Sequence, residues 1–167
     1  KNLLTHSLGL KNTAPKEFEA FRNKVSNGTY NSDTDTYLIE DLLKELKTVE
    51  VVKKPGTFYA YNSVGPELLA YILEQVNKEA FAKQLDDFFD EIGMNDTYLQ
   101  LSDKNEKRLI NGYKDEQLSH RDICPVYGAA GGAISTLPDL ATYMQYLIDN
   151  KNEPWIKEAS RSLFVDE

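Results

Sequence analysis

Apolar residues fall at helical spacing in four stretches of the chain. Ile39, Leu42, Leu43 and Leu46 recur three and four residues apart, and so do Leu68, Leu69, Ile72, Leu73 and Val76. The same spacing runs through Phe81, Leu85, Phe88, Phe89 and Ile92, and through Leu140, Tyr143, Met144, Leu147 and Ile148. A helix completes a turn in roughly 3.6 residues, so each stretch predicts an amphipathic helix with one apolar face to bury. Gly65-Pro66-Glu67 suits a helix entrance, with proline in the first turn and an acid at the positive end of the helix dipole. Thr136-Leu137-Pro138-Asp139 reads as a capping box opening the last of the four. Weaker helices are predicted over Pro15 to Lys24 and Pro154 to Leu163. Strand-like runs are short: Val49 to Val52, Thr57 to Tyr61, Thr97 to Leu101 and Leu109 to Tyr113. Loops rich in Asn, Asp, Gly and Ser cover Ser26 to Thr36, Ser102 to Lys107 and Lys114 to Gly132. The expected fold class is mainly α with a few short strands.

Composition narrows the range of partners. A chain of 167 residues with 41% apolar content fits one ordinary domain with a sizeable core. Its formal charge of −8 repels phosphates and argues against nucleic acid; such a charge speaks first to solubility. No stretch approaches the roughly 18 apolar residues of a membrane span, and the start shows no charged segment leading an apolar one. The single cysteine, Cys124, cannot form an internal disulfide. It reads as a small core residue, because only His6 and His120 could act as its base and nothing local links either to it.

Several tempting chemistries give way to plainer readings. Asn31, Asp33 and Asp35 occupy the first, third and fifth places of a calcium loop, but Thr36 stands where a glycine is needed and Leu42 where a bidentate glutamate should close the cage. Asp86, Asp87, Asp90 and Glu91 lie on the polar side of their helix and read as a solvated face. Gly128-Ala129-Ala130-Gly131-Gly132 permits unusual backbone angles but lacks the Lys-Ser/Thr and the spacing of phosphate loops. His6 has no metal-ligating companions. Neither a metal nor a cofactor is expected.

Four segments together carry a resemblance. Leu3-Leu4-Thr5-His6-Ser7-Leu8-Gly9-Leu10 is similar to the Leu-Leu-Thr-His-x-Ser-Gly-Leu segment of class C β-lactamase-like serine hydrolases and penicillin-binding proteins. Pro55-Gly56, Tyr61-Asn62-Ser63 and Leu68-Leu69 resemble that superfamily's Pro-Gly, Tyr-x-Asn and helix-starting run. Ile92-Gly93-Met94-Asn95-Asp96-Thr97 resembles its Leu-Gly-Met-x-Asp-Thr. Ala130-Gly131-Gly132-Ala133-Ile134-Ser135-Thr136 with Asp139-Leu140 resembles its Ala-Gly-Gly-Leu-x-Ser-Thr-x-x-Asp-Leu. The four follow the superfamily's order over nearly the whole chain. No serine has a lysine three residues on, and no Lys-Ser/Thr-Gly occurs. The resemblance therefore implies residues 1–167 as a single domain, the helical insert of the β-lactamase/D,D-peptidase fold, truncated at both ends and separated from the α/β portion of its parent. It implies a bacterial, extracytoplasmic parent that acts through an acyl-enzyme on a small-molecule or peptidoglycan-like substrate. A catalytically silent relative, or a helical binding module, is the alternative.

The resemblance also implies site residues. Gly65 and Leu68-Leu69 fix the register so that Tyr61 matches the tyrosine that shuttles protons beside the nucleophile. Ser63 then stands where the superfamily has the substrate-binding asparagine, with Asn62 between. A serine offers one hydroxyl in place of a two-ended amide, which disfavours lactam or D-Ala-D-Ala recognition and leaves room for ester substrates. Tyr61 is the expected catalytic residue, with Ser63 and Asn62 on the substrate side. Read from the local residues alone, Asn62 or Ser63 would cap the following helix. Gly131-Gly132 is implied as a buried turn at the wall of the cleft.

Overall fold

The computed structural model describes residues 1–162 apart from 12–13, 32, 100–102 and 120–125. His120, Cys124, Leu101 and Leu163 therefore lie outside the described residues. Seven helices and one small hairpin follow along the described chain: α1 (Lys16–Ser26), α2 (Ile39–Leu46), α3 (Val64–Asn77), α4 (Phe81–Glu91), α5 (Asp103–Glu106), β1 (Gly112–Lys114), β2 (Gln117–Ser119), α6 (Leu137–Asp149) and α7 (Pro154–Ala159). The fold is mainly α, as the periodicity predicts, and α2, α3, α4 and α6 are the four strongly periodic stretches.

The core forms where α1, α2 and the start of α3 meet. Phe18, Tyr37, Leu42 and Val64 are buried together, and Leu8, Phe21, Leu46 and Leu68 pack around them. Burying a large apolar side chain stabilises a fold by about 1.5–3 kcal/mol, so this cluster anchors that end of the molecule. Glu45 ties α2 to α1: its carboxylate accepts the backbone N–H groups of Glu17 and Phe18 at 3.0 and 3.3 Å and the Tyr37 hydroxyl at 2.6 Å. Two otherwise unpaired donors of the first turn of α1 are satisfied this way. Burial, reinforced by that carboxylate, pushes the Tyr37 phenol far above its usual range.

α3 and α4 form the next pair. Lys78 adopts a left-handed conformation (φ 56°) that ends α3, and Glu74 turns back to accept the N–H of Phe81 at 3.0 Å, capping α4. Beyond them, Phe88 of α4, Tyr146 of α6 and Trp155 of α7 line up in successive ring contacts with centroids 6.3 and 6.2 Å apart.

Five expectations change. The apolar stripes are not fully covered: Ile72 and Val76 on α3, and Leu140, Met144 and Ile148 on α6, are exposed. Of the strand candidates, Val49 to Val52 contributes only a bridge from Val51 to Leu10, the described part of Thr97 to Leu101 only a bridge from Tyr98 to Ile134, and Thr57 to Tyr61 forms no strand. The region after Lys114 is not all loop, since β1 turns through Asp115 and Glu116 into β2 with Tyr113 opposite Leu118. Both turn residues have positive φ (51° and 64°), which suits a tight hairpin. α7 ends at Ala159, short of the expected helix.

Asp86 is the fifth. It faces inward rather than joining Asp87, Asp90 and Glu91 in solvent: its carboxyl accepts from the Leu99 backbone, and its Oδ1 is buried without a hydrogen-bond partner among the described residues. Burial raises its affinity for a proton above that of an ordinary carboxyl, and the charges of Asp90 and Asp87 add to this against the Leu99 contact. A group whose pKa is raised by folding contributes stability below its unfolded value of about 3.9, and that contribution is lost as pH rises through the folded value. Asp86→Asn, which keeps the carbonyl for Leu99, is therefore expected to raise the melting temperature at pH 7. Thermal denaturation at pH 7 and pH 3 checks this, the gain disappearing at pH 3.

Candidate active site

The Tyr61 segment is held by the first ten residues of the chain. Backbone bonds run from Ala60 N–H to the His6 carbonyl and from Gly56 N–H to the Ser7 carbonyl, both at 2.8 Å, and from Val52 N–H to the Gly9 carbonyl at 2.9 Å. The approach is too close for a side chain at two glycines. A Cβ on Gly9, whose φ is 76°, would stand 2.1 Å from the Lys53 carbonyl oxygen, and one on Gly65 would stand 2.4 Å from that of Leu3. The glycines shared with the superfamily pattern thus let the first segment lie against the second.

Tyr61 emerges from this support onto open surface, with 62% of its area exposed. Among the described residues no hydrogen bond engages its hydroxyl. Its ring lies on the His6 imidazole, with centroids 4.4 Å apart and planes tilted by 40°. Asn62 and Ser63 turn the other way, each only 5% exposed. The Asn62 side chain accepts the Gly65 N–H and donates to the Ala60 carbonyl, both at 2.9 Å, so it caps the entrance of α3. The Ser63 hydroxyl accepts from the Arg22 guanidinium of α1 at 3.1 Å. The structure thus brings the three site residues together in sequence but divides them in space, and a substrate-side role for Asn62 and Ser63 rests on the resemblance rather than on exposed atoms.

Two carboxylates not expected to matter for the site hold its surroundings. Glu67, the acid placed at the start of α3 by its charge, is fully buried. It accepts the N–H groups of Tyr127 at 2.7 Å and Ala130 at 3.2 Å, clamping the glycine-rich segment against the helix that begins just after Tyr61. Within that segment Gly132 is buried, Gly131 has φ 124°, and Gly132 N–H bonds the Gly128 carbonyl at 2.7 Å. Asp139 has the second such role. Thr136 accepts the Asp139 N–H at 3.3 Å, but the Asp139 carboxylate does not complete the expected capping box. It accepts instead from Asp96 N–H at 2.8 Å and from the Thr97 hydroxyl at 2.7 Å, joining the third segment to the fourth.

Asn31 and Asp35 spend their side chains on the loop's own backbone, and Asp35 also pairs with Lys24. His6 accepts the Asn62 N–H through Nδ1 at 3.4 Å. Among the described residues no three His, Cys, Asp or Glu side chains are grouped to hold a metal ion, and no helix is long and apolar enough to cross a membrane. A groove of about 540 Å³ lined by Phe21, Lys24, Tyr37, Asp41 and Glu45 does not include Tyr61.

Close glycine contacts hold the first segment against the second, and buried carboxylates join α3 to the glycine-rich segment and the third segment to the fourth. The chain belongs to the Beta-lactamase family, whose model matches residues 1–163. It is similar in structure to the octameric penicillin-binding protein homologue from Pyrococcus abyssi, at 25% identity and a TM-score of 0.73 over 97% of this chain and 38% of that one. It is also similar to a β-lactamase/D-alanine carboxypeptidase from Pseudomonas syringae (19% identity, TM-score 0.68, 88% and 37% covered). The D-amino acid amidase from Ochrobactrum anthropi SV3 is a third such structure (21% identity, TM-score 0.67, 90% and 42% covered). The chain spans about two fifths of the length of these structures. Comparison with curated proteins gives no match.

Proposed function

We propose that residues 1–167 are the tyrosine-bearing, helical portion of a bacterial serine hydrolase that works outside the cytoplasm through an acyl-enzyme. The single observation that supports this reading is the exposed Tyr61 side chain just before α3, the residue that the sequence resemblance aligns with the superfamily's proton-shuttling tyrosine. The serine that attacks the substrate in this chemistry is expected from sequence outside these residues, because none of the serines present has a lysine three positions on. In the reaction, the serine hydroxyl adds to the substrate carbonyl and its proton passes to Tyr61; Tyr61 returns the proton to the leaving group, and water reverses the sequence to free the enzyme. With Asn62 and Ser63 bonded inside the fold, this box offers no two-ended amide clamp, which favours an ester over a lactam or a peptide.

The same commitment of Ser63 favours a second reading, a relative that has lost catalysis. Covalent labelling separates the two. The isolated 167-residue chain is expected to take up no fluorophosphonate or β-lactam probe, whereas the protein that supplies the nucleophile is labelled with one probe per chain. Stoichiometric labelling of the isolated chain would place a nucleophile within it and end the proposal; an unlabelled complete protein selects the silent relative.

A further inference from the structure

We propose that His6 is a positioning residue for Tyr61, fixing the direction of its phenol for proton transfer; this rests on the role proposed above for Tyr61. Tyr61 is mostly exposed, and among the described residues no hydrogen bond holds its hydroxyl. An exposed tyrosine side chain is free to exchange rotamers unless something packs against its ring. The imidazole of His6 packs against it, 4.4 Å away. His6 is itself fixed on several sides. Tyr59 meets its ring edge-on at 6.0 Å and 87°, its carbonyl accepts the Ala60 N–H, and its Nδ1 accepts the Asn62 N–H. Those two donors flank Tyr61 in sequence, so the histidine grips the backbone on both sides of the tyrosine and the ring between. Its backbone has φ 49°, a strained conformation for a non-glycine residue that persists only where surroundings enforce it.

This arrangement explains why an aromatic acceptor stands at position 6. Asparagine would supply the acceptor and tolerate the left-handed backbone, but not the ring. Phenylalanine would supply the ring but not the acceptor. Proton transfer demands that the phenol oxygen be held within about half an ångström and 10–20° of its productive position. A displacement of about 1 Å can cost roughly 10²-fold in rate.

The two substitutions make the test. In the complete enzyme, His6→Asn is expected to lower kcat about tenfold or more with KM and melting temperature close to those of the parent, and His6→Phe to recover most of the loss. In the 167-residue chain, the Tyr61 ring-proton resonances are expected to move in His6→Asn, which removes the neighbouring ring current, while the Asn62 amide stays near its place. An unchanged kcat in His6→Asn, in an enzyme that Tyr61→Phe disables, overturns the inference and leaves Tyr61 its role. A loss of kcat that follows the melting temperature and that His6→Phe does not restore also overturns it, making His6 a fold residue only. If Tyr61→Phe is itself harmless, the reading of Tyr61 fails and this inference fails with it.

Discussion

Replacing Tyr61 by phenylalanine is expected, on the role proposed for it, to lower turnover by roughly 10²–10⁴-fold, the usual consequence of losing a general acid–base group. The fold is expected to survive, because the hydroxyl removed is on an exposed side chain and no hydrogen bond reaches it among the described residues. The His6 ring would still find an aromatic face to lie on. Steady-state kinetics together with a melting curve check the prediction. Full activity at an unchanged melting temperature would mean that Tyr61 is only the residue before a helix cap.

The second large effect is on stability. Glu67→Ala removes the acceptor of two backbone N–H groups, those of Tyr127 and Ala130, in a fully buried place. An unpaired buried donor costs about 1–3 kcal/mol, so the two together are expected to cost about 2–6 kcal/mol, with a cavity adding to it. Glu67→Gln retains one carbonyl acceptor but brings an amide that can face only one of the two donors usefully, and it is expected to fall between. Denaturant titration of the two variants orders them. Equal stability of Glu67→Ala and the parent would show that solvent reaches those donors readily.

The parts of this fold legible in the sequence are those governed by near neighbours. Periodicity locates α2, α3, α4 and α6 because an amphipathic helix repeats its apolar face every turn, and the same near-neighbour chemistry gives Thr136 its cap. Matches in four ordered segments give the family. The rest depends on partners far along the chain. Glu67 and Asp139 look like acids suited to the first turn of a helix, and only the folded molecule shows that their carboxylates reach segments more than 40 residues away. Nothing local distinguishes Asp86, turned inward against Leu99, from Asp87, which pairs with Lys83 in solvent. The β1–β2 hairpin escapes notice because Asp115-Glu116 lacks the glycine that commonly marks two positive φ angles in succession. At the candidate site, Tyr61, Asn62 and Ser63 are adjacent letters, but which of them faces out follows from where α1 puts Arg22 and where the first segment puts His6.

The bonds that surround Tyr61 also set an order of events in time. His6 to Asn62 closes a loop of 56 residues, and Glu67 to Tyr127 one of 60. Helices of 8 to 14 residues such as α2 and α3 form on a timescale of about a microsecond or less, whereas contacts between distant segments must first overcome chain entropy. A chain with the helical content of a fast folder therefore completes its most informative surface late. Pulse-labelled hydrogen exchange during refolding is expected to show the interior amides of α3 protected before those of Asn62 and Tyr127, so that helicity alone is no measure of whether the tyrosine has reached its place.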